Sequence, residues 1–379
     1  MVESTANGYR RIGAALVLGL SLLVPLSAWA AKSILYAGSY TSGASKGIYA
    51  WRFDSQTGKL APLGLVAATP QPAHIWAAPS GKVLYAVNWE EQGGVSAFRI
   101  DSRTGGLTFL NRVSAKGAKP NQVVVDPSGR IAVSVNYGAG NLAAYKVLPD
   151  GELSEAFYVD QHAGPPRSPR QHGPKAHGVE FSRDGRFMYV AELGLDRVYA
   201  YRVDPEAGAI APGDPPYVET HAGAGPRRLQ LSPNGKFLYV NHETDSEVSV
   251  FAVDGTSLKD VQTVSTLSAG YTDPNTTAEI IISPDDRFLY VSNRGRDSIA
   301  VFAIDPASGR LTLTADTPAG GRTPRNLRLD PSAGFLFSSN EGDGTITVFK
   351  IDKATGLLSQ TAAKAQIDTP GGLYFVESR

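Results

Sequence analysis

The segment Ser298–Ile304 reads SIAVFAI, and six other stretches of the chain follow the same pattern. Each copy has an aromatic residue at its fifth position and is rich in β-branched residues, which is typical of β-strands. The aromatic residues of successive copies lie 47 to 56 residues apart. A repeat of this period predicts a solenoid, a propeller or a similar array of units. The other copies are Gly47–Phe53, Gly94–Ile100, Asn141–Val147, Arg197–Val203, Glu247–Val253 and Thr345–Ile351.

Two kinds of turn divide each repeat. Most copies are followed by a turn with Asp and Gly, as in Asp305–Leu311 (DPASGRL), because these residues tolerate the backbone angles of tight turns. A second turn resembles Pro-Ser-Gly and joins two further strand-like stretches, as at Pro233–Gly235 before Phe237–Val240 (FLYV). Four antiparallel strands in one such repeat make a propeller blade. The sequence therefore predicts an all-β fold, a seven-bladed β-propeller with four antiparallel strands per blade.

The two ends of the repeat array predict how the ring closes. The first repeat lacks its inner strand, because Ile34–Tyr36 already corresponds to the second strand of a blade. The C-terminal stretch Thr369–Val376 (TPGGLYFV) resembles the inner strands of the other repeats. We expect this C-terminal strand to pair into the first blade, which leaves only short, protected sheet edges.

The N-terminus has the features of a secretory signal. Arg10 and Arg11 precede an apolar run from Ile12 to Leu26. Ala28 and Ala30 follow as the small residues at the −3 and −1 positions of a cleavage site. We predict a signal peptide over residues 1–30 and the propeller domain over residues 31–379, in the periplasm or secreted. An uncleaved N-terminal anchor is the alternative, although the apolar run is short for a membrane span.

Composition excludes several classes of function. Lys and Arg number 36, as do Asp and Glu, so no basic excess favours nucleic acid. The chain has no cysteine, which excludes disulfides, thiolate metal sites and a cysteine nucleophile. The six histidines show no convincing metal-ligand spacing, although His172 and His177 could approach each other. We expect no metal, no cofactor and no stable membrane insertion after signal cleavage.

Polar residues at matching repeat positions predict one functional face. In a four-stranded meander the loop into the inner strand and the loop after the second strand lie at the same end. The recurring asparagines there, Asn88, Asn136, Asn293 and Asn340, are interpreted as turn-stabilising residues. Charged residues that break the repeat are site candidates. They are His177, Glu192, Arg227, Arg228, His242, Glu243, Glu279, Arg294 and Arg325.

One blade also has a longer connection, from Asp160 to Ala176 (DQHAGPPRSPRQHGPKA), which ends just before His177. Insertions in repeat proteins usually lie on one face, often the binding face. A lid over the channel mouth and a plain flexible loop are both consistent with this composition.

Several segments resemble the seven-bladed lactonase family, which includes the bacterial propeller-type 6-phosphogluconolactonase and the fungal carboxy-muconate lactonizing enzyme. The resemblance covers about Ser33 to Val376 and is carried by Tyr36–Thr41 (YAGSYT), Gly225–Leu229 (GPRRL), Asn241–Glu243, Ala278–Ile280 and Ser283–Gly295 (SPDDRFLYVSNRG). It implies that His177, Arg227, Glu243 and Arg294 are the catalytic residues. Other candidates are expected at the same mouth of the channel, and we predict that they bind the substrate. They are Arg228, His242, Glu279, Arg325 and Glu192.

This resemblance implies metal-independent hydrolysis of a polar or anionic, sugar-type lactone at the channel mouth. Glu243 or His177 is the expected general base, and Arg227 and Arg294 are expected to hold the oxyanion or a substrate anion. Arg325 and Glu279 would position hydroxyls or the anionic group. Two alternatives remain open, a muconate-type lactonizing cycloisomerase and a non-catalytic exported propeller that binds ligands or acts as a scaffold.

Overall fold

A computed structural model of the protein describes residues 1–2 and 33–378. Within these residues the chain forms 28 β-strands in seven four-stranded antiparallel sheets. Blade 1 contains β1 (Ser33–Ser39), β2 (Gly47–Asp54) and β3 (Lys59–Ala68). Blade 2 contains β4 (Pro72–Ala77), β5 (Val83–Asn88), β6 (Gly94–Ile100) and β7 (Leu107–Ser114). Blade 3 contains β8 (Pro120–Val125), β9 (Ile131–Asn136), β10 (Asn141–Val147) and β11 (Leu153–Gln161).

The remaining blades follow the same order from the inner to the outer strand. Blade 4 contains β12 (Ala176–Phe181), β13 (Phe187–Glu192), β14 (Arg197–Asp204) and β15 (Ala209–Glu219). Blade 5 contains β16 (Pro226–Leu231), β17 (Phe237–His242), β18 (Glu247–Asp254) and β19 (Ser257–Ser265). Blade 6 contains β20 (Thr276–Ile282), β21 (Phe288–Arg294), β22 (Ser298–Ile304) and β23 (Leu311–Pro318). Blade 7 contains β24 (Pro324–Leu329), β25 (Phe335–Asn340), β26 (Thr345–Ile351) and β27 (Leu358–Gln366).

The C-terminal strand β28 (Pro370–Glu377) is the inner strand of blade 1. It pairs antiparallel with β1, with Leu35 opposite Phe375 and Ser33 opposite Glu377. Each inner strand also contacts the inner strands of both neighbouring blades, so the seven sheets form a ring around a channel. The predicted seven-bladed propeller and its closure by the C-terminal strand are confirmed. The predicted signal peptide lies, from residue 3 onward, outside the described residues.

The burial of the strands explains their sequence pattern. The middle strands of a blade are covered on both faces by the neighbouring blades, so β5 and β9 are buried along their whole length and read as continuous apolar runs. The outer strands, such as β3, alternate between exposed and half-buried residues. No helix in the described part of the chain is both long and apolar enough to cross a membrane.

Aromatic side chains fill the interface between the last blade and the first. Phe53 packs edge-to-face on Phe337 and Phe335, with ring centroids 5.0 Å and 5.4 Å apart, and also contacts Phe375. Such pairs contribute roughly 0.5–1.5 kcal/mol each beyond the burial of their area. The closing strand is therefore fixed by packing as well as by hydrogen bonds.

Tyrosines on the second strands of blades 1, 2, 4 and 6 link each of these blades to the next. The hydroxyl of Tyr36 donates to the carbonyl of Gly105 at 3.1 Å, and Tyr85 donates in the same way to Gly151 at 3.0 Å. Tyr189 and Tyr290 repeat this contact with later turns. The turn after the third strand, with its Asp and Gly, therefore supplies a carbonyl acceptor to the preceding blade.

Three of the four recurring asparagines stabilise the turns between blades, as the sequence indicated. Asn88 donates to the carbonyl of Pro70 at 2.6 Å, and Asn136 donates to Ala115 at 2.7 Å. Asn293 makes the equivalent bond to Thr266 at 3.2 Å. These three asparagines therefore fix the connection that leads from the preceding outer strand into their own inner strand. Asn340 differs, since it donates to the hydroxyls of Thr345 and Thr347 in its own blade.

Candidate active site

Irregular pairing at the start of the inner strands creates the site. The ladder between the first two strands of blades 4, 5 and 7 skips one residue, and these residues are His177, Arg227 and Arg325. In blade 6 it skips Ala278 and Glu279. An extra residue in one strand bends it and redirects the side chain, and such bulges are frequent beside active sites. Four blades thus bring charged groups to the same end of the channel.

Glu243 is the centre of the cluster. Arg227 donates from Nε to Oε2 of Glu243 at 2.7 Å, and Nη2 of Arg294 lies 3.3 Å from the same oxygen. Nε2 of His177 lies 4.0 Å from it. The structure therefore brings together His177, Arg227, Glu243 and Arg294, the four residues that the sequence analysis paired as catalytic. These four residues come from blades 4, 5 and 6.

The arginines keep Glu243 ionised. Burial acts to raise the pKa of Glu243, but Arg227 and Arg294 more than offset it, so the pKa lies below its ordinary value of 4.5. Burial and the neighbouring Arg294 lower the pKa of Arg227 to about 9, which still leaves its guanidinium protonated at neutral pH. Arg227 is almost completely buried, whereas 27% of the Glu243 side chain remains exposed. Arg227 therefore contacts Glu243 on its buried side, and the exposed part of the carboxylate is accessible from the channel.

His177 is held by Asn121, a neighbour in blade 3 at the equivalent repeat position. Nδ2 of Asn121 donates to the backbone carbonyl of His177 at 3.0 Å and lies 2.8 Å from its Nδ1. Because a carbonyl only accepts, the amide nitrogen faces the histidine. It lies 3.3 Å from Nε2 as well, so we assign the shorter contact, to Nδ1, as the one in which the ring accepts. Burial and four neighbouring arginines lower the pKa of His177 well below 6.5, so the ring is neutral at pH 7. The proton of the neutral ring then lies on Nε2, which faces Glu243.

A second group of charges adjoins the first. Nε of Arg228 lies 3.7 Å from Oε2 of Glu279, which also accepts a hydrogen bond from Asn326 at 2.5 Å. Arg325 lies 3.3 Å from Glu341 and donates to the hydroxyl of Tyr40 at 2.5 Å. Across both groups, four guanidinium groups face three carboxylates. The cluster therefore carries one net positive charge, which favours an anionic or strongly polar ligand.

The structure gives each glutamate of the cluster its own arginine partners. Glu279 pairs with Arg228 instead of Arg294, whose Nη2 donates to the carbonyl of Thr277 at 2.8 Å and contacts Glu243. The sequence analysis also missed several residues of the site. Asn121, Asn326 and Glu341 stand at the same repeat positions as the charged candidates, so their place in the repeat could have identified them as site residues. The missed residues are Tyr40, Asn121, Asn326 and Glu341.

Glu192 does not join this cluster, which corrects its assignment to substrate binding. Its carboxylate is fully buried and lies 2.6 Å from Nδ1 of His162, while its other oxygen accepts from the backbone amides of Lys175 and Gly194. The other nitrogen of His162 lies 2.9 Å from the hydroxyl of Tyr201. Glu192 therefore fixes the connection into its blade, as asparagine does in other blades.

His242 is likewise withdrawn from the substrate-binding set. Its side chain is fully buried and packs against the ring of His221, with centroids 5.3 Å apart. Nδ1 of His242 lies 3.4 Å from Oδ1 of Asp245. His242 therefore contacts residues of the neighbouring turns, whereas Glu243 contacts the arginines of the cluster. His242 occupies the same repeat position as the turn-stabilising asparagines.

The long connection between β11 and β12 lies on the face that carries the site. Arg167 donates to the carbonyl of Thr220 at 2.7 Å, and Gln171 donates to Oδ1 of Asp196 at 2.6 Å. Its first residue, His162, is buried against Tyr199 with the rings stacked 3.9 Å apart. These contacts attach the connection to a turn of blade 4 and to the segment that follows β15.

Comparison with known proteins identifies the family. The family model described as Lactonase, 7-bladed beta-propeller, matches residues 34–375. The chain is 33% identical over 308 residues to the 6-phosphogluconolactonase of Bacillus subtilis, covering 79% of this chain and 85% of that protein. It is 30% identical over 307 residues to the 6-phosphogluconolactonase of Formosa agariphila, covering 78% and 86%.

A solved structure gives the same result. The periplasmic gluconolactonase PpgL of Pseudomonas aeruginosa superimposes with a TM-score of 0.87 and is 32% identical, covering 92% of this chain and 99% of that one. The range that the family model matches, residues 34–375, includes strands of all seven blades and the charged cluster. The chain therefore belongs to the seven-bladed β-propeller lactonase family.

Proposed function

We propose that this protein hydrolyses a sugar-type lactone at the mouth of the propeller channel, without a metal ion in the reaction. Membership of the lactonase family makes the chain a lactone hydrolase. The proposed site and mechanism rest on one observation. Arg227, Arg294 and His177 all lie near the same carboxylate oxygen of Glu243. The cluster combines an ionised base, two fixed cations and a neutral imidazole that can donate a proton.

In the proposed reaction Glu243 removes a proton from a water molecule that attacks the lactone carbonyl carbon. A positioned general base of this kind contributes about 10²–10⁴-fold to the rate. The carbonyl oxygen becomes an oxyanion, which the guanidinium of Arg294 and the Nε2–H of His177 stabilise. The ring C–O bond then breaks, and the proton taken from water passes to the leaving ring oxygen. Lactone and water give one hydroxy acid, with no other reactant.

The remaining cluster residues fit a role in substrate binding. Arg325 is 20% exposed and Glu341 is 30% exposed, so both can face a ligand in the channel mouth. Arg228 and Glu279 are more deeply buried and hold their own orientation through their ion pair. Arginine and carboxylate groups suit the hydroxyls of a sugar ring and an anionic substituent. The net positive charge of the cluster also suits the carboxylate of the product.

The relatives suggest two substrates. One is the phosphorylated lactone implied by the names of the Bacillus subtilis and Formosa agariphila proteins, and the other is the gluconolactone of the Pseudomonas aeruginosa protein. We favour the unphosphorylated lactone and a location in the periplasm or outside the cell. The signal-like N-terminal sequence supports export, and sugar phosphates are scarce outside the cytoplasm.

The test is acid release, measured in a pH-stat, from δ-gluconolactone and from its 6-phosphate, with and without EDTA. We expect turnover above the spontaneous rate for at least the unphosphorylated lactone, unchanged by EDTA. Glu243→Gln should reduce turnover by at least 10²-fold. Glu219→Gln is the matched control, because Glu219 is a half-exposed partner of Arg197 outside the cluster.

Three outcomes would contradict parts of this proposal. Wild-type turnover in Glu243→Gln removes the assignment of the base. Complete loss of activity in EDTA, from protein that keeps its circular dichroism spectrum and thermal unfolding midpoint, removes the metal-independent reaction. Absence of acid release from either lactone, together with isomerisation of a muconate-type diacid, replaces hydrolysis by the cycloisomerase alternative.

A further inference from the structure

A second cluster of side chains lies at the edge of blade 5, outside the catalytic cluster. It consists of His221 in the turn before β16, His242 at the end of β17, Asp245 in the following turn and Glu247 at the start of β18. Each residue offers one imidazole nitrogen or carboxylate oxygen, and these four atoms all lie within 4.8 Å of one another. Residues from two adjacent turns therefore converge on one small volume.

His242 is the feature that points to a ligand. Its side chain is completely buried, and neither of its ring nitrogens makes a hydrogen bond within the described protein. At the equivalent position in other blades, an asparagine such as Asn88 bonds to the carbonyl of the inter-blade turn. Buried polar groups in native proteins are normally satisfied, so an imidazole with two unbonded nitrogens calls for a partner. Its Nδ1 faces Asp245, at 3.4 Å.

The distances suit a tetrahedral metal ion. Nε2 of His221 lies 2.5 Å from Oδ2 of Asp245 and 3.8 Å from Oε2 of Glu247. Ligands on a zinc ion with bonds of 2.0–2.1 Å stand roughly 3.3 Å apart. His221, Asp245 and Glu247 are each partly exposed, so their side chains have room to rotate toward that spacing around an ion. Two neutral imidazoles and two carboxylates also balance the charge of a divalent cation.

We propose that His221, His242, Asp245 and Glu247 form a binding site for a divalent transition metal, with Zn²⁺ as the best match. Imidazole nitrogen with carboxylate oxygen is a donor set typical of zinc, whereas calcium and magnesium prefer oxygen alone. The four protein ligands complete a tetrahedron, which is the arrangement of a structural site. The bound ion joins the turn before β16 to the turn after β17.

This location gives the ion a structural role near the catalytic cluster. Glu243 follows His242 directly, and its backbone amide donates to the carbonyl of Gly225 at 2.8 Å. The two turns are thus already paired through the backbone, and the ion adds a second connection between their side chains. The metal site and the lactone site share no side chain, so separate substitutions can test them.

The sequence spacing did not indicate this site. His221 and His242 are 21 residues apart, and no short motif connects them. They meet because the connection into a blade and the turn after its second strand lie at the same end of the propeller. The earlier expectation of no metal site rested on spacing along the chain alone.

The experiment is titration of the chelator-treated mature protein with ZnCl₂ by calorimetry, and with CoCl₂ by visible absorption. We expect one equivalent of metal per chain, a tetrahedral cobalt spectrum and a higher thermal unfolding midpoint with zinc. His242→Asn introduces the residue that four other blades carry at this position, so it should fold. It should weaken zinc binding at least tenfold and remove the thermal shift.

Asp245→Asn and Glu247→Gln change partly exposed side chains and provide a second test should His242→Asn fold poorly. Each should also weaken zinc binding at least tenfold, with unchanged circular dichroism. His172→Asn is the matched control, because His172 is exposed in the connection between β11 and β12. The proposal is overturned if the wild-type chain binds no zinc at a hundredfold excess, or if the three cluster variants bind it as tightly as His172→Asn does. Lactone hydrolysis is not needed for either result.

Discussion

Nδ2 of Asn121 lies 2.8 Å from Nδ1 of His177, although the two residues are 56 positions apart and belong to different blades. The same amide nitrogen donates to the carbonyl of His177, which fixes its orientation. The nitrogen lies 3.3 Å from Nε2, so the shorter contact, to Nδ1, assigns the proton of the neutral imidazole to Nε2. A neutral His177 therefore presents a donor to the channel, so Glu243 is the better candidate for the base.

Asn121→Ala tests this positioning role. Without the amide, Nδ1 of His177 loses its donor, and the two neutral tautomers become closer in energy. We expect kcat to fall about tenfold with little change in KM, in line with the effect of losing a supporting hydrogen bond. The ¹⁵N chemical shifts of the His177 ring, measured by NMR, should show more of the Nδ1-protonated form. A variant with wild-type kcat and an unchanged tautomer would exclude the role.

The acid limb of the pH–rate profile reports on Glu243. The base must be deprotonated, and its neighbours lower its pKa below 4.5, so activity should persist as the pH falls and decline only below that value. No decline is expected near pH 6.5, because the lowered pKa of His177 keeps its ring neutral there.

Arg294→Ala should move that acid limb to higher pH, because Arg294 is one of the two main groups that lower the pKa of Glu243. The measurement is kcat/KM against pH for the wild type and the variant. Arg296→Ala is the matched control, since Arg296 is a 45% exposed partner of Asp316. An unshifted limb in Arg294→Ala, or an equal shift in both variants, would argue against Glu243 as the titrating base.

Two tyrosines at the same repeat position give a direct test of the links between blades. Tyr85 donates to Gly151 at 3.0 Å, whereas the buried hydroxyl of Tyr239 has no hydrogen-bond partner within the described residues. Tyr85→Phe should reduce the free energy of unfolding by about 0.5–1.5 kcal/mol. Tyr239→Phe should be neutral or stabilising, because it removes an unsatisfied buried group. Denaturation by urea measures both, and equal losses would contradict the role of the tyrosine link.

Glu192→Gln distinguishes a turn-stabilising residue from a substrate-binding one. The buried carboxylate bonds to His162 and to two backbone amides, and hydrogen bonds to a charged group are worth about 1.5–3 kcal/mol. We expect a loss of stability of that order and an unchanged KM for the lactone. Glu206→Gln, at an exposed ion pair with Arg130, should change neither quantity measurably. A raised KM with full stability would return Glu192 to the binding site.

The partners of Glu192 and His242 show where sequence reasoning stopped. Both break a column of asparagines, and a charge that breaks a repeat was interpreted as a sign of function. In the structure, Glu192 bonds within the connection into its blade, and the buried His242 packs against His221. Each of these histidines lies in the connection into its blade, far along the chain from the residue it contacts.

The amino-acid sequence alone determined the number of blades, the order of the strands, the closure by the C-terminal strand and the end of the channel that carries the charges. These follow from the period of the repeat and from turn residues, which act locally along the chain. Only the tertiary structure decided which polar side chains meet. These pairs include Glu243 with Arg227, Glu279 with Arg228 and His242 with His221. Bulges at the inner strands and the packing of neighbouring blades set those contacts, because both redirect side chains between segments that are distant in sequence.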